Sequence, residues 1–348
     1  MPIKTIKEFL KFCTRCGKCV PLCPSYQVFK EEIFSPRGRI FYLLQDTFHK
    51  SFDFCLMCGI CERNCPNEVS FPEAYLEILK EKKENSISKE FLKKFASDPL
   101  KIFLEINSWL HLISVENRKI NSKLKERFSK QGDIVIYYSC DLKYFYPQVL
   151  RNFGSILEKY NLNAYMPLEV ECCGAPFLNL GYISLLKEKA LKNLEVLEKT
   201  KGFLIMFCAT CLWIFKKVYP QIFKGSIYED RFKRLAERVI SGYRFLSDFA
   251  EEEIEKLKNQ KKDVIFHLPC HLTEDFNLVK NKLEIKDFCC GSPKASLWLE
   301  GFQRRFKKNW IKNLENIDIL ATFCAGCYLN FNLLLKRPPQ IKHWFELL

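Results

Sequence analysis

The apolar positions change period several times along the chain. From about residue 76 to 130 the sequence is rich in Lys and Glu, with apolar residues at helical spacing. Leu79 to Lys94 reads as exposed helix or linker. Ile102, Leu104, Ile106, Trp109, Leu110 and Leu112 read as a buried helical face beyond it. At Gly132 the texture changes. Asp133-Ile134-Val135-Ile136-Tyr137-Tyr138 is a short, β-rich apolar run bounded by Gly and Ser, and it predicts a buried strand leading to Cys140. Ile183 to Lys201 repeats Leu as a helix does, and Gly202 to Phe207 predicts a second strand ending at Cys208. A charged stretch, about 228 to 262, reads as spacer helices. The pattern then returns. Val264-Ile265-Phe266 leads to Cys270, Ser296 to Asn316 predicts a helix, and Ile317 to Phe323 predicts a strand ending at Cys324.

Strands alternating with helices in two copies predict two repeated α/β units. In both, cysteines fall just past strand ends, where open α/β sheets hold ligands. The expected architecture is multidomain, mixing α+β and α/β parts. A helical cysteine-rich domain covers 1–78 and a helical linker 79–131. A first α/β unit covers 132–227, a helical spacer 228–262, and a second α/β unit 263–348.

Composition narrows the chemistry. The chain has 348 residues, 48% of them hydrophobic, so it can bury a core and is not a disordered tail. Its 18 cysteines could serve disulfides or metal sites. Disulfide frameworks belong to small secreted scaffolds. This chain is not small, and Met1 to Glu8 shows no apolar signal-peptide core. Metal-bound thiolates in a reducing compartment are expected instead, with a cytoplasmic location that allows peripheral attachment to the inner face of a membrane. The most apolar stretch, Phe203 to Phe215, is shorter than the roughly 20 residues a membrane span needs.

Eight of the cysteines form two blocks. Cys13-x2-Cys16-x2-Cys19-x3-Cys23-Pro24 is followed by Cys55-x2-Cys58-x2-Cys61-x3-Cys65-Pro66. Both match the bacterial ferredoxin run for [4Fe-4S] clusters, in which three close thiolates wrap one cubane and the fourth serves the other. Cys13, Cys16, Cys19 and Cys65 are therefore expected on one cluster, and Cys55, Cys58, Cys61 and Cys23 on the other. Zinc sites pair C-x2-C with distant ligands and need only four, so two full copies with matching Pro argue against zinc. Val20, Leu22, Phe54, Leu56 and Ile60 are expected to exclude water around the clusters.

The remaining ten cysteines also repeat. Cys140, Cys172-Cys173-Gly174 and Cys208-x2-Cys211 are matched by Cys270, Cys289-Cys290-Gly291 and Cys324-x2-Cys327. The second cysteine of the pair precedes the C-x2-C by 35 residues in one copy and 34 in the other. The lone cysteine precedes the pair by 32 residues against 19, so one connection is shorter. Free buried cysteines have no reason to repeat in register at strand ends. Each copy thus offers five thiols on three loops for one further cluster. The Gly after each pair is expected to let the backbone approach a bulky cluster.

What is missing also informs. No G-x-G pair and no G-x4-G-K-[ST] loop is present, so a dinucleotide or phosphate site is not indicated. Two-electron chemistry on an organic acid would need FAD or FMN on a partner. His267 and His271 flank Cys270 and could tune or ligate a cluster, carry a proton, or simply satisfy local structure. Arg37 and Arg39 could meet an acidic partner or pair with Glu31 or Glu32. The formal net charge of +14 raises nucleic-acid binding, but no basic stripe or recognition motif supports it. Metal-bound thiolates also offset that charge. Two cubanes at about −2 each bring it to about +10, and two five-thiolate sites at about −3 each bring it to about +4.

With these motifs the chain resembles iron–sulfur proteins in which two ferredoxin motifs precede two Cys-Cys-Gly domains. They include the iron–sulfur subunits of glycolate oxidase and anaerobic glycerol-3-phosphate dehydrogenase, and a heterodisulfide reductase subunit. Cys23-Pro24-Ser25-Tyr26-Gln27, Ser35-Pro36-Arg37-Gly38-Arg39-Ile40, Phe266-His267-Leu268-Pro269-Cys270, Cys289-Cys290-Gly291-Ser292 and Lys342-His343-Trp344 look closest to the glycolate oxidase subunit. The resemblance implies an oxidoreductase subunit that takes electrons from a flavoprotein oxidising a 2-hydroxy acid such as glycolate or lactate. It would pass them to a quinone or another membrane-associated acceptor. The two full five-cysteine sets look more like heterodisulfide reductase, which implies noncubane clusters and, as the alternative function, thiol–disulfide chemistry.

Overall fold

The computed structural model describes residues 10–45, 47–81, 124–129, 132–259, 264–291, 317–335 and 339–348, with isolated positions between 302 and 314. The helical face expected at 102–112 lies outside the described residues, as does most of the helix expected over 296–316.

Two four-stranded parallel sheets organise the second part of the chain. In the first, β1 (Ile134–Ile136) lies between β2 (Ala164–Tyr165) and β3 (Phe203–Met206), and β4 (Val239–Ser241) closes the edge beside β3. The second repeats the order with β5 (Val264–Leu268), β6 (Ile285–Asp287), β7 (Ile319–Thr322) and β8 (Gln340–His343). Ile134 pairs with Phe203 in one register and Val264 with Ile319 in the other. Val135, Ile136, Leu204 and Ile205 are wholly buried. Strands covered on both faces read as continuous apolar runs, which is why the central strands were legible in the sequence.

The edge strands were not legible. β2 has two residues and β6, Ile-Lys-Asp, is mostly exposed, so neither carries an apolar run. The stretch expected as helical spacer holds the helices Glu229–Arg238, Gly242–Phe249 and Glu251–Lys258, but also β4, which belongs to the first sheet. The shorter connection of the second copy has a plain cause. Between β1 and β2 runs the thirteen-residue helix Pro147–Lys159, whereas between β5 and β6 there is only Phe276–Lys280.

The two sheets meet through the ends of their strands. The Ala209 N–H donates to the Phe323 carbonyl at 2.9 Å, and His343 Nε2 donates to the Phe207 carbonyl at 3.0 Å. Phe207, Phe345 and Phe153 pack edge to face across the seam.

The N-terminal domain is built from short helices and turns. Its helix Pro36–Leu44 starts by rule, with Pro36 in the first turn and the Ser35 hydroxyl accepting the Gly38 N–H at 3.0 Å. The domain docks onto the second α/β unit. Arg63 donates to the Cys270 carbonyl at 2.8 Å, lies 3.7 Å from Asp287, and sits over the Phe276 ring.

Candidate metal centre

The two ferredoxin-type blocks fold as matching loops. Arg15 and Gly17 flank Cys16, and Met57 and Gly59 flank Cys58; all four have left-handed backbone, with φ of 56°, 80°, 49° and 66°. Such turns point successive N–H groups inward and make an anion-binding hollow of the kind that receives iron–sulfur clusters. Two hollows result. One is lined by Cys13, Cys16, Cys19, Cys61 and Cys65, the other by Cys23, Cys55, Cys58 and Cys61. Cys65 thus lies with the first block and Cys23 with the second. No carboxylate lines either hollow. Soft thiolates and backbone N–H groups without hard oxygen donors fit an iron–sulfur cluster.

The helix Pro36–Leu44 runs between the two hollows, and Pro36 lines both. Positions two apart on a helix point about 200° from one another. Arg37 accordingly lines the first hollow and Arg39 the second. Arg37 makes a two-pronged ion pair with Glu32 and donates to the Arg15 carbonyl at 3.1 Å. Arg39 is buried; its Nε donates to the Ser51 carbonyl at 3.1 Å and its Nη1 lies 4.0 Å from Cys23 Sγ. Burial pushes the Cys23 thiol up to about 11, against the pull of the Arg39 charge. Val20 and Leu56 are buried as expected, but Leu22 is 37% exposed and shields nothing.

In the first α/β unit the five thiols form an unbroken line. Cys140 touches Cys172, Cys173 lies 3.4 Å from Cys211, and Cys211 touches Cys208. In the second, Cys270 touches Cys289, while Cys290 touches Cys327 and Cys327 touches Cys324. Cys270 therefore sits with its set despite the short connection. The sets also meet one another and the N-terminal domain. Cys208 touches Cys324 across the seam, and Cys289 touches Cys58. In each unit one thiol is pulled down by its neighbours. Donation from Cys140, then Cys173, holds Cys172 well below the usual thiol range, and donation from Cys208, then Cys327, does the same for Cys324. This sharing, then burial, pushes Cys140, Cys173 and Cys289 up, and burial, then sharing, pushes Cys327 up. So many buried thiols can all ionise only around a cationic core, which is what an iron–sulfur cluster supplies.

The glycines after the Cys-Cys pairs also have a packing role. Gly174 and Gly291 have φ of 80° and 78°, and a Cβ there would lie 2.7 Å from Leu186 Cδ1 and 2.4 Å from Phe306 Cε1. They are needed for the left-handed turn and for helix packing, and their N–H groups approach Cys172 and Cys289 Sγ at 3.5 and 3.4 Å. The carbonyl of the second cysteine is also tied down in each unit. Tyr219 OH donates to Cys173 at 2.9 Å, and Asn330 donates to Cys290 at 2.6 Å. These partners were missed in the sequence, as was Lys189, which is buried and paired with Glu171 beside Cys172. A Lys in a leucine-rich helix carries no signal that it faces inward.

His267 and His271 are both engaged in hydrogen bonds within the fold. His267 has both ring nitrogens engaged, with Thr322 Oγ1 at 3.0 Å and the Phe288 carbonyl at 2.9 Å. His271 bridges Thr210 Oγ1 at 3.2 Å and the Met57 carbonyl at 3.3 Å, stacked on Trp213. Burial lowers His267 and His343 to about 4. An unfolded chain takes up these protons near pH 6.5, the folded one only near 4. Stability is therefore expected to fall as pH drops through this window, by up to about 1.4 kcal/mol per unit for each histidine. Urea titrations between about pH 6.5 and 5 check this, and His343→Gln should flatten the slope.

Comparison with known families matches residues 9–69 to a 4Fe-4S dicluster domain and residues 134–216 and 264–332 to two copies of a cysteine-rich domain. The glycolate oxidase iron-sulfur subunit of Escherichia coli is 22% identical over 98% of this chain and 93% of its own length. Lactate utilization protein A of Halalkalibacterium halodurans is 22% identical over 62% of this chain and 96% of its own length. An uncharacterized iron-sulfur protein of Methanococcus maripaludis is 22% identical over 90% of this chain and 55% of its own. Among the described residues no helix is long and apolar enough to cross a membrane.

Proposed function

Because this chain is an iron–sulfur protein like the glycolate oxidase subunit, a 4Fe-4S dicluster domain followed by two cysteine-rich domains, we propose that it relays electrons within a flavin-linked 2-hydroxy-acid dehydrogenase. A flavoprotein partner oxidises a substrate such as glycolate or lactate, and a quinone or similar acceptor takes the electrons. Cys13, Cys16, Cys19 and Cys65 hold one [4Fe-4S] cluster, and Cys23, Cys55, Cys58 and Cys61 hold a second. Cys140, Cys172, Cys173, Cys208 and Cys211 hold a third cluster, and Cys270, Cys289, Cys290, Cys324 and Cys327 a fourth.

One observation carries this reading. The thiols run from the N-terminal domain through the second unit to the first, by way of the contacts Cys58–Cys289 and Cys324–Cys208. Cys13, Cys16, Cys19 and Cys65 of the first cluster and Cys61 of the second are exposed or partly so in the N-terminal domain, as are Cys140 and Cys172 in the first unit; every other cysteine is buried. A line insulated in the middle and open at two ends suits entry at one port and exit at the other. Iron and sulfide analysis with EPR of the anaerobic protein tests the cluster content. Glycolate or lactate should reduce the protein only when the flavoprotein is added. Reduction of the isolated chain by either acid would refute the division of labour.

A second reading rests on Cys172, partly exposed and pulled below the usual thiol range by the hydrogen bond from Cys140. That end could carry thiol–disulfide chemistry. It requires that a disulfide oxidise the reduced protein, and that Cys172→Ser abolish the turnover while the two ferredoxin-type clusters stay.

A further inference from the structure

We propose that Arg39 sets the potential of the buried ferredoxin-type cluster, by placing a permanent, uncompensated positive charge against it. The inference rests on the reading that Cys23, Cys55, Cys58 and Cys61 hold a [4Fe-4S] cluster. Three observations carry it. Arg39 is 1% exposed and lines the same hollow as those four cysteines. Among the described residues no carboxylate pairs with it, and its Nη2 has no hydrogen-bond partner although it is buried. Its Nη1 already lies 4.0 Å from Cys23 Sγ. A guanidinium cannot be deprotonated in a protein, and a buried donor left without a partner is costly. A cluster in the hollow, with sulfide and thiolate as acceptors, would remove that cost.

The electrostatics give the direction. One-electron reduction takes a cluster with four thiolates from about −2 to about −3, with no bond made or broken and no proton taken up. The electron comes from the neighbouring cluster or an added chemical reductant. Burial disfavours the extra negative charge and lowers the potential. A cation in the same low-dielectric space favours it and raises the potential again. In the other hollow Arg37 is paired with Glu32, and the remaining cations, Arg15 and Lys18, are solvent-exposed, where water and salt screen their charge. Arg39 thus keeps the buried cluster able to accept an electron that arrives at the exposed one.

The test is a mediated redox titration of the purified full chain, followed by EPR. Arg39→Gln should make reduction of one of the two ferredoxin-type clusters at least tenfold less favourable, a downward shift of about 59 mV or more for one electron, while the other stays put. An unchanged pair of midpoints would overturn the proposal. Removing a buried guanidinium can also stop the domain folding, so the wild-type chain labelled with nitrogen-15 arginine gives a second reading. Pulsed EPR of the reduced protein should show an arginine nitrogen coupled to one cluster signal and lost in Arg39→Lys. No arginine coupling overturns the proposal as well. Wild-type protein with full iron and unmoved midpoints in Arg39→Gln removes only this inference. Wild-type protein lacking the second cluster removes the underlying reading with it.

Discussion

Cys289→Ser is expected to cut electron delivery from the ferredoxin-type domain to the first cysteine-rich unit by at least ~100-fold. Even partners behind a metal ligand typically cost 10–100-fold when changed, and Cys289 is a ligand itself in the proposed fourth cluster. Its position makes the loss specific. It is buried, touches Cys270 in its own unit, and touches Cys58 in the N-terminal domain. Both ferredoxin-type hollows keep all their own thiols in this variant. Freeze-quenched EPR after mixing with dithionite should therefore show the ferredoxin-type signals forming at normal rate and the distal site lagging. Unchanged reduction of the distal site would mean that electrons reach it by another route, and the linear order would be wrong.

Gly38→Ala is the second large effect, and it acts through packing. A Cβ at Gly38 would lie 2.1 Å from the Glu32 carbonyl oxygen and 2.8 Å from its carbon, both backbone atoms that cannot swing away. Helix Pro36–Leu44 would have to lift off the turn Glu32–Phe34, at a cost of about 2–3 kcal/mol. The same lift would carry Arg37 and Arg39 out of the two hollows. We expect a lower denaturation midpoint together with loss of iron from both ferredoxin-type sites. A variant with full iron content and wild-type stability would show that the turn can yield. Gly225→Ala makes a useful control, since nothing lies within 4 Å of a Cβ there, although its φ of 77° still carries some strain.

The central strands and the eighteen thiols were legible because their signals are local. Val135 and Ile136 sit in unbroken apolar runs, and each C-x2-C states its own spacing. The edge strands carry no run and are defined by the neighbour they pair with, as β4 is by β3. Arg37 and Arg39 show the same limit at the site. Glu32 pairs with Arg37, as their nearness in sequence allows. Only the helix between two hollows reveals that Arg39 turns the other way. Contacts between units, such as Cys208 with Cys324 and Cys58 with Cys289, join residues 116 and 231 positions apart in the chain and leave no trace in any short motif.

The buried middle of the thiol line bears on how the protein is made. Cys208, Cys270, Cys289 and Cys324 are shut away where the two units and the N-terminal domain close on one another. A carrier that hands over iron and sulfide needs to reach the thiols it fills. On the proposed ligand assignment, loading of these inner positions comes before closure, while the pieces are still apart.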